Sequence, residues 1–227
     1  AGNLATTQLA VSRLRRDAED PSAERSLRGF RHLFEAAEYV GEVLVASQVQ
    51  VADDDRKGGV NTQATLIFGG QIAGERPGLY MVYPLGNCIA ASPETPYLQI
   101  GESKYGKPIL DRIVRPETAL EDAARVALVS LDSTVRSNLS VGLPVDLALV
   151  RAGDLRVSQQ MRLEGDTPLY AEIHENWSRR LENAVRMLPR FPWEAPAPAA
   201  DADPDLPPLP PRRAPARQDP GDQSAQQ

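Results

Sequence analysis

The sequence is poor in the residues that most often carry structural or catalytic chemistry. It contains one cysteine and two histidines in 227 residues, and aromatic side chains make up only 5% of it. The single cysteine, Cys88, excludes an internal disulfide and a zinc site built on several cysteines, and it is typical of a protein in the reducing cytoplasm. Cys88 also lies within a predicted strand, where a lone cysteine is more often a small buried residue than a nucleophile.

Basic charge and long apolar runs are scarce as well. The 25 basic residues are outnumbered by 31 acidic residues, which gives a net charge of −6 and no positive field for phosphate backbones. We therefore expect no nucleic-acid partner. No run of about 18 apolar residues occurs, so we expect no membrane partner either. The spacings typical of HExxH metal sites, Walker loops and dinucleotide-binding folds are also missing, and no cofactor is predicted.

Proline is abundant but unevenly distributed. Eleven of the 20 prolines lie at or beyond Pro189, and from Glu194 onward the sequence offers almost no apolar residue to bury. This composition predicts a folded domain over residues 1–193 and a disordered Pro/Ala-rich tail over 194–227. Residues 206–213 have the polyproline and basic character of a docking peptide, but a simple solvated tail is the favoured interpretation.

The folded part alternates between helical and strand periodicity. Apolar residues at spacings of three and four predict helices, and alternation of apolar and polar residues predicts strands. The helices are predicted over 4–16, 26–50, 118–132 and 168–188, with a short helix ending at 113. The strands are predicted over 62–72, 79–83, 87–91, 141–150 and 155–163. Hairpin-connected strands kept apart from helices indicate an α+β fold of antiparallel sheets.

Three local signals refine this assignment. Thr118 and Glu121 have the spacing of a capping box, which predicts that the organising helix begins at Thr118. Gly153 and Asp154 predict the hairpin turn between the last two strands. Gly142 and Pro144 lie where a helix must give way to a strand within a few residues, so we expect both to tolerate substitution poorly. A positive φ at Gly142 would make Gly142→Val strained.

Few side chains stand out as catalytic candidates by pattern alone. His32 is predicted on the second helix and His174 on the last helix, each beside apolar residues, so packing or surface roles are favoured for both. Ser137 and Ser140 fall in a polar turn between a predicted helix and strand. Hydroxyl groups in such turns commonly bond to the local backbone, which is the simplest interpretation of the pair.

Four stretches resemble one family closely, and two of them are long and specific. They are AGNLATTQ at 1–8, FGGQI at 68–72, IGESKYGKPILD at 100–111 and DSTVRSNLSVGLP at 132–144. Together they resemble the ancestral-β-subunit, or Anbu, proteasome-type peptidases over residues 1–193. The resemblance implies a four-layer αββα sandwich of two antiparallel sheets, the N-terminal-nucleophile hydrolase fold. It also implies self-assembly into rings or helical rings that act on peptides or unfolded proteins.

The same resemblance implies which residues support catalysis. In the family a terminal threonine hydroxyl attacks the peptide carbonyl, its own α-amine takes the proton, and a lysine and an aspartate tune it. These three residues precede the motif at which this sequence begins, and Ala1 is not a methionine, so we expect a further segment and the first strands of the fold upstream. Thr6 and Thr7 lie in a predicted helix and cannot replace the nucleophile.

The remaining supporting roles map onto four residues. Gly2 matches the glycine whose backbone N–H binds the oxyanion, and Ser140 matches a serine that orients the terminal amine. Ser137 stands where related subunits have an aspartate. Ser103, or its neighbour Glu102, matches another supporting serine on a turn.

Two functions of different class fit this pattern. The first is a subunit of a threonine-type peptidase, and the alternative is a non-catalytic structural subunit of a proteasome-like homo-oligomer.

Overall fold

A computed structural model describes residues 1–54 and 58–194. These residues form five helices and five strands. In chain order the elements are α1 (Leu4–Glu19), α2 (Leu33–Asp54), β1 (Leu66–Gly70), β2 (Gly78–Val82), β3 (Cys88–Ala90), α3 (Lys107–Ile113), α4 (Leu120–Ser137), β4 (Val145–Leu149), β5 (Gln159–Leu163) and α5 (Pro168–Arg186). Among the described residues, no helix is long and apolar enough to cross a membrane.

The chain divides into two units, Ala1–Arg186 and Met187–Gln227. In the described part of the second unit, the rings of Phe191 and Trp193 stack with centroids 4.7 Å apart. The predicted tail over 194–227, including residues 206–213, lies outside the described residues, apart from Glu194.

The first sheet is an antiparallel meander in the order β1-β2-β3. Phe68 pairs with Tyr80, and Tyr80 pairs with Ala90 on the next strand. Helices α1 and α2 pack against each other, and α2 also packs on this sheet. The buried residues of this core come from both helices, from β2 and from the segment before β1, and they are Ala10, Leu14, Tyr39, Val40, Leu44, Ala64 and Val82.

The second sheet is the antiparallel hairpin β4-β5, covered by α4 and α5. Leu128 of α4, Leu163 of β5 and Tyr170 of α5 form its buried core. A smaller core joins α3 to α4 through Leu110 and Val126. The α+β fold with two antiparallel sheets is therefore confirmed.

The predicted capping box at the start of α4 is wrong. Thr118 Oγ1 accepts a hydrogen bond from the Arg115 N–H at 2.8 Å, so the hydroxyl closes the preceding turn. The helix begins at Leu120, and its N-cap residue Ala119 provides no side-chain cap. The Thr118 hydroxyl is therefore used within the turn over 115–118 and does not cap the helix.

Helix α4 also ends later than its sequence pattern predicts. The polar stretch after residue 132 stays helical through Ser137. Ser133 donates its hydroxyl proton to the Val129 carbonyl at 2.9 Å, and Thr134 donates to the Ser130 carbonyl at 2.9 Å. Because these hydroxyls bond back to their own helix, they do not compete for the backbone in a way that ends it.

Several other predicted bounds are too generous. Helix α2 begins at Leu33, so His32 precedes it, and β1 begins at Leu66. Strand β4 starts only at Val145, after the cis peptide bond between Leu143 and Pro144. Gly142 has no positive φ, so the condition under which valine would be strained at this position is not met.

The hairpin turn before β5 is longer than Gly153 and Asp154. Residues 150–158 form the connection, and Leu155 within it has a φ of 51°. The Ser158 N–H donates to the Leu149 carbonyl at 2.7 Å, which closes the loop at its base. The apolar alternation over 155–158 therefore belongs to a loop.

Candidate functional site

Gly2 is held in an extended crossing with the segment before β1. It pairs with Ala64 in an antiparallel bridge, and its φ is 100°. The flanking Ala1 carbonyl accepts from the Thr65 N–H at 2.8 Å, and the Asn3 N–H donates to the Gln63 carbonyl at 2.8 Å. In this register the N–H and C=O groups of Gly2 itself point away from the paired segment.

Only glycine fits at this position. A Cβ on Gly2 would overlap the Gln63 carbonyl oxygen and lie 3.0 Å from the Ala64 Cα, in addition to the unfavourable φ. The glycine therefore allows two stretches of backbone to approach closely and leaves an amide available on the opposite side.

An open cleft of about 430 Å³ lies beside Gly2. Ala1, Gly2, Met81, Tyr83, Ile100 and Gly101 are among the residues that line it. Gly101 has a φ of 82°, and a Cβ built on it would lie 3.7 Å from the Ala1 Cβ. The turn over 101–103 is thus brought against the start of the chain.

The Glu102 carboxylate connects this turn to the end of α4. Glu102 Oε1 accepts from the Lys104 N–H at 2.8 Å, and Oε2 accepts from Asn138 Nδ2 at 2.9 Å. Ser103, the next residue, is half-buried, and its carbonyl accepts from the Lys107 N–H at 2.9 Å. Glu102, rather than the Ser103 hydroxyl, therefore makes the side-chain contact between the two turns.

Asn138 is the C-cap residue of α4 and organises the turn that follows. Its Oδ1 accepts from the Ser140 N–H at 2.9 Å and from the Ser140 hydroxyl at 2.7 Å. This is the local amide-to-backbone bonding expected of asparagine in a turn. The Ser-Asn-x-Ser spacing could have identified the bond between Asn138 and Ser140, but nothing local indicates Glu102 as the next partner.

The four predicted site residues are placed differently in this arrangement. Gly2 lines the cleft and Ser140 is bonded within the turn after α4. Ser137 is exposed at the last position of α4, and within the described residues its hydroxyl makes no hydrogen bond. Ser103 contributes a backbone carbonyl to the first turn of α3.

The threonines of α1 are structural. Thr6 is fully buried and donates its hydroxyl proton to the Thr62 carbonyl at 2.8 Å. Thr7 donates to the Asn3 carbonyl at 2.9 Å. Both lie inside the helix Leu4–Glu19. Neither hydroxyl adjoins a free α-amine.

A second polar cluster lies between α4 and α5, and sequence reasoning missed it. Buried Asp132 accepts from the Tyr170 hydroxyl at 3.0 Å, and its Oδ1 lies 2.7 Å from His174 Nδ1. Burial, together with the hydrogen bond to Asp132, raises the pKa of Tyr170 to about 12. These residues line a cavity of about 320 Å³. Asp132 and His174 are 42 positions apart, so the sequence offers no local signal for their contact.

The remaining candidate side chains are those of His32 and Cys88. His32 Nδ1 lies 2.5 Å from Glu75 Oε1, and Glu75 Oε2 accepts from the Leu33 N–H at 3.2 Å at the start of α2. Cys88 is half-buried in β3, and burial raises the pKa of its thiol. Within residues 1–54 and 58–194, no cluster of three His, Cys, Asp or Glu residues could hold a metal ion.

Comparison with known proteins identifies the fold and the family. No protein-family model matches the chain, and no curated protein matches it. Solved structures do match. Anbu from Yersinia bercovieri is 41% identical with a TM-score of 0.79, and the match covers 86% of this chain and 80% of that one. The structure titled "Helical Assembly of the Anbu Complex from Pseudomonas aeruginosa" is 40% identical with a TM-score of 0.79, and the match covers 85% and 79%.

A third match, Anbu from Hyphomicrobium sp. strain MC1, is 38% identical with a TM-score of 0.75, covering 84% of this chain and 78% of that one. The fold is thus the αββα sandwich of proteasome-like, N-terminal-nucleophile proteins. The chain belongs to the Anbu, or ancestral beta-subunit, family.

Proposed function

We propose that the chain is a subunit of a self-assembling, proteasome-like threonine-type peptidase that cleaves peptide bonds in proteins or peptides. The observation that carries this proposal is the orientation of the Gly2 amide, which points away from its paired segment beside an open cleft. A backbone N–H aimed in this way can stabilise the negative charge that develops on a carbonyl oxygen during acyl transfer.

The nucleophile in this proposal is a terminal threonine, and its own α-amine is the base. Residues 1–227 then supply supporting groups: Gly2 for the oxyanion and Ser140 for the amine. Ser137 and Ser103 have lesser roles, because the Ser137 hydroxyl is exposed and Ser103 contributes its carbonyl to α3. We also propose the cytoplasm as its location, since Cys88 is the only cysteine in 227 residues.

A non-catalytic structural subunit is the second candidate, and two observations favour it. Ser137 stands where the catalytic pattern has an aspartate, and one relative is described as a helical assembly. In this alternative the chain self-associates and the cleft has no catalytic role.

The hydrolysis of fluorogenic peptides by the full-length protein, together with its assembly size, tests the two candidates. We expect turnover that Ser140→Ala reduces by about 10-fold or more without changing the size measured by analytical ultracentrifugation. Ser92→Ala is the matched control, because Ser92 is also a turn serine whose hydroxyl bonds a nearby side chain. A defined assembly with no turnover would overturn the peptidase proposal in favour of the structural subunit.

A further inference from the structure

We propose that Glu102 and Asn138 are positioning residues that fix Ser140 as a hydrogen-bond acceptor for an amine. In this proposal Glu102 supplies, from the neighbouring turn, the negative charge of the aspartate that proteasome subunits have at the position of Ser137. The inference rests on the proposed function; it gives Glu102 a defined role where the resemblance left the choice between Ser103 and Glu102 open, and it adds Asn138, which the resemblance does not assign.

The Glu102 carboxylate determines which group donates and which accepts in each of these hydrogen bonds. An ionised carboxylate only accepts hydrogen bonds, and Glu102 receives two: the Lys104 N–H at 2.8 Å on Oε1 and Asn138 Nδ2 at 2.9 Å on Oε2. Asn138 must therefore present its NH₂ group to Glu102. Its carbonyl oxygen consequently faces the opposite way, toward Ser140.

The orientation of the Asn138 amide in turn determines which group donates in its hydrogen bonds with Ser140. Asn138 Oδ1 accepts from the Ser140 N–H at 2.9 Å and from its Oγ at 2.7 Å. A serine hydroxyl has one proton, and this bond uses it. Ser140 Oγ can then only accept from a further partner, so it suits a group with N–H donors, such as an α-amine or ammonium.

Glu102 is linked to the cleft through its neighbour in the chain. Gly101, which lines the cleft beside Ala1, directly precedes Glu102. Ser137 has no carboxylate, and Glu102 is the one carboxylate that bonds to the turn after α4 within the described residues. The negative charge nearest to Ser140 along this chain of hydrogen bonds is therefore that of Glu102.

Two substitutions that exchange acid and amide provide a sharp test. In Glu102→Gln, the new NH₂ group must face either the Lys104 N–H or Asn138 Nδ2, so one donor meets another. In Asn138→Asp, two carboxylates face each other. In the double variant, the amide NH₂ group introduced at position 102 would donate to the carboxylate introduced at position 138. The amide oxygen at position 102 would still accept from the Lys104 N–H, and the carboxylate at position 138 would still accept from Ser140.

Thermal unfolding of the full-length protein measures whether this arrangement exists, independently of any activity. We expect each single variant to lower the midpoint by about 2–4 °C and the double variant to recover most of that loss. Glu117→Gln, an exposed carboxylate outside these contacts, is the matched control and should leave the midpoint unchanged. Additive losses in the double variant would overturn the proposed arrangement.

Peptide hydrolysis then measures the positioning role. We expect each single variant to lower kcat by about 10- to 100-fold with little change in KM, and the double variant to restore it. Losing the carboxylate should also move the acid limb of the kcat/KM profile of Glu102→Gln to lower pH, because a nearby negative charge raises the pKa of an amine. A purely structural role would not move that limb.

The possible outcomes separate the two proposals. Normal kcat and an unshifted acid limb in both single variants would overturn the positioning role while leaving the peptidase assignment intact. A wild-type protein without turnover would overturn the peptidase and the amine-binding role together. The unfolding cycle would still decide whether the hydrogen-bonded arrangement is real.

Discussion

Gly41 in α2 lies directly against Gly86 in the turn between β2 and β3. A Cβ on Gly41 would overlap the Gly86 carbonyl oxygen and lie 2.8 Å from its carbonyl carbon. The absence of a side chain at Gly41 therefore sets how closely α2 approaches the first sheet. Packing this close leaves no room for even one methyl group.

We expect Gly41→Ala to destabilise the protein by about 3 kcal/mol or more, because the added methyl group meets backbone that cannot rotate away. The free energy of unfolding from denaturant titration measures this effect. Gly29→Ala is a suitable control, since a Cβ there would lie 3.6 Å from the nearest backbone atom. Equal stability of the two variants would show that α2 can shift outward.

Gly142→Val should be tolerated. Gly142 has no positive φ, and nothing lies within 4 Å of a Cβ built on it. A valine there adds only modest surface exposure, so we expect a change within about 0.5 kcal/mol in the free energy of unfolding. A loss of several kcal/mol would mean that the loop before β4 packs against something outside the described residues.

Gly2→Ala should separate backbone strain from steric overlap when it is compared with Gly74→Ala. Gly74 also has a positive φ, 87°, but the space around its Cβ position is open. We expect Gly74→Ala to cost about 1 kcal/mol from strain alone and Gly2→Ala to cost distinctly more, because its Cβ meets the 63–64 backbone. Thermal midpoints of both variants test this order, and equal losses would contradict it.

The ion pair between His32 and Glu75 should make stability depend on pH. The hydrogen bond to Glu75 raises the pKa of His32 above 6.5, so its contribution is complete below that value and is lost as pH rises through the raised pKa. The hydrogen bond from His32 lowers the pKa of Glu75 below 4.5, so its contribution is complete above that value and is lost as pH falls through the lowered pKa.

The pair therefore stabilises the start of α2 most between about pH 4.5 and 6.5. Thermal midpoints of the wild type and Glu75→Gln across pH 4 to 9 test this expectation. The difference between the two proteins should peak in that window and narrow above it. A difference that is constant with pH would show that Glu75 acts only as a cap on the Leu33 N–H.

Asp132→Ala should cost more than Tyr170→Phe. The first change leaves the buried Tyr170 hydroxyl and His174 Nδ1 without their shared acceptor, which costs about 2–4 kcal/mol. The second removes one donor and leaves the acceptor bonded to His174, at a cost of about 1 kcal/mol. Chemical denaturation of both variants gives the comparison, and the reverse order would show that Tyr170 and His174 are adequately solvated without Asp132.

The sequence predicts the bounds of helices and strands well where one apolar face dominates. It predicts them poorly where a hydroxyl group can bond to more than one local partner. The meander β1 to β3 and the helix α5 follow from the periodicity of their apolar residues. The start of α4 was misplaced because the Thr118 hydroxyl bonds to Arg115 instead of capping the helix. Its end was misplaced because Thr134 bonds back to Ser130.

The candidate site was predictable only one turn at a time. The pattern of residues 137–140 identifies a turn, and the glycine at position 101 identifies another. The contact between Glu102 and Asn138 spans 36 positions and depends on how the two turns pack, which no local pattern encodes. For the same reason the cluster around Asp132 was invisible before the fold was known.

Helix α4 carries both of these long-range contacts on a single stiff element. Asp132 bonds to Tyr170 and His174 of α5. Asn138 bonds to Glu102 and Ser140. The two residues are six positions apart, about 9 Å along the helix axis. An α-helix hardly compresses, so any axial slide of α4 at Asp132 displaces Asn138 equally. The contacts of Tyr170 and His174 with Asp132 therefore fix the position, along the α4 axis, of the turn that contains Ser140.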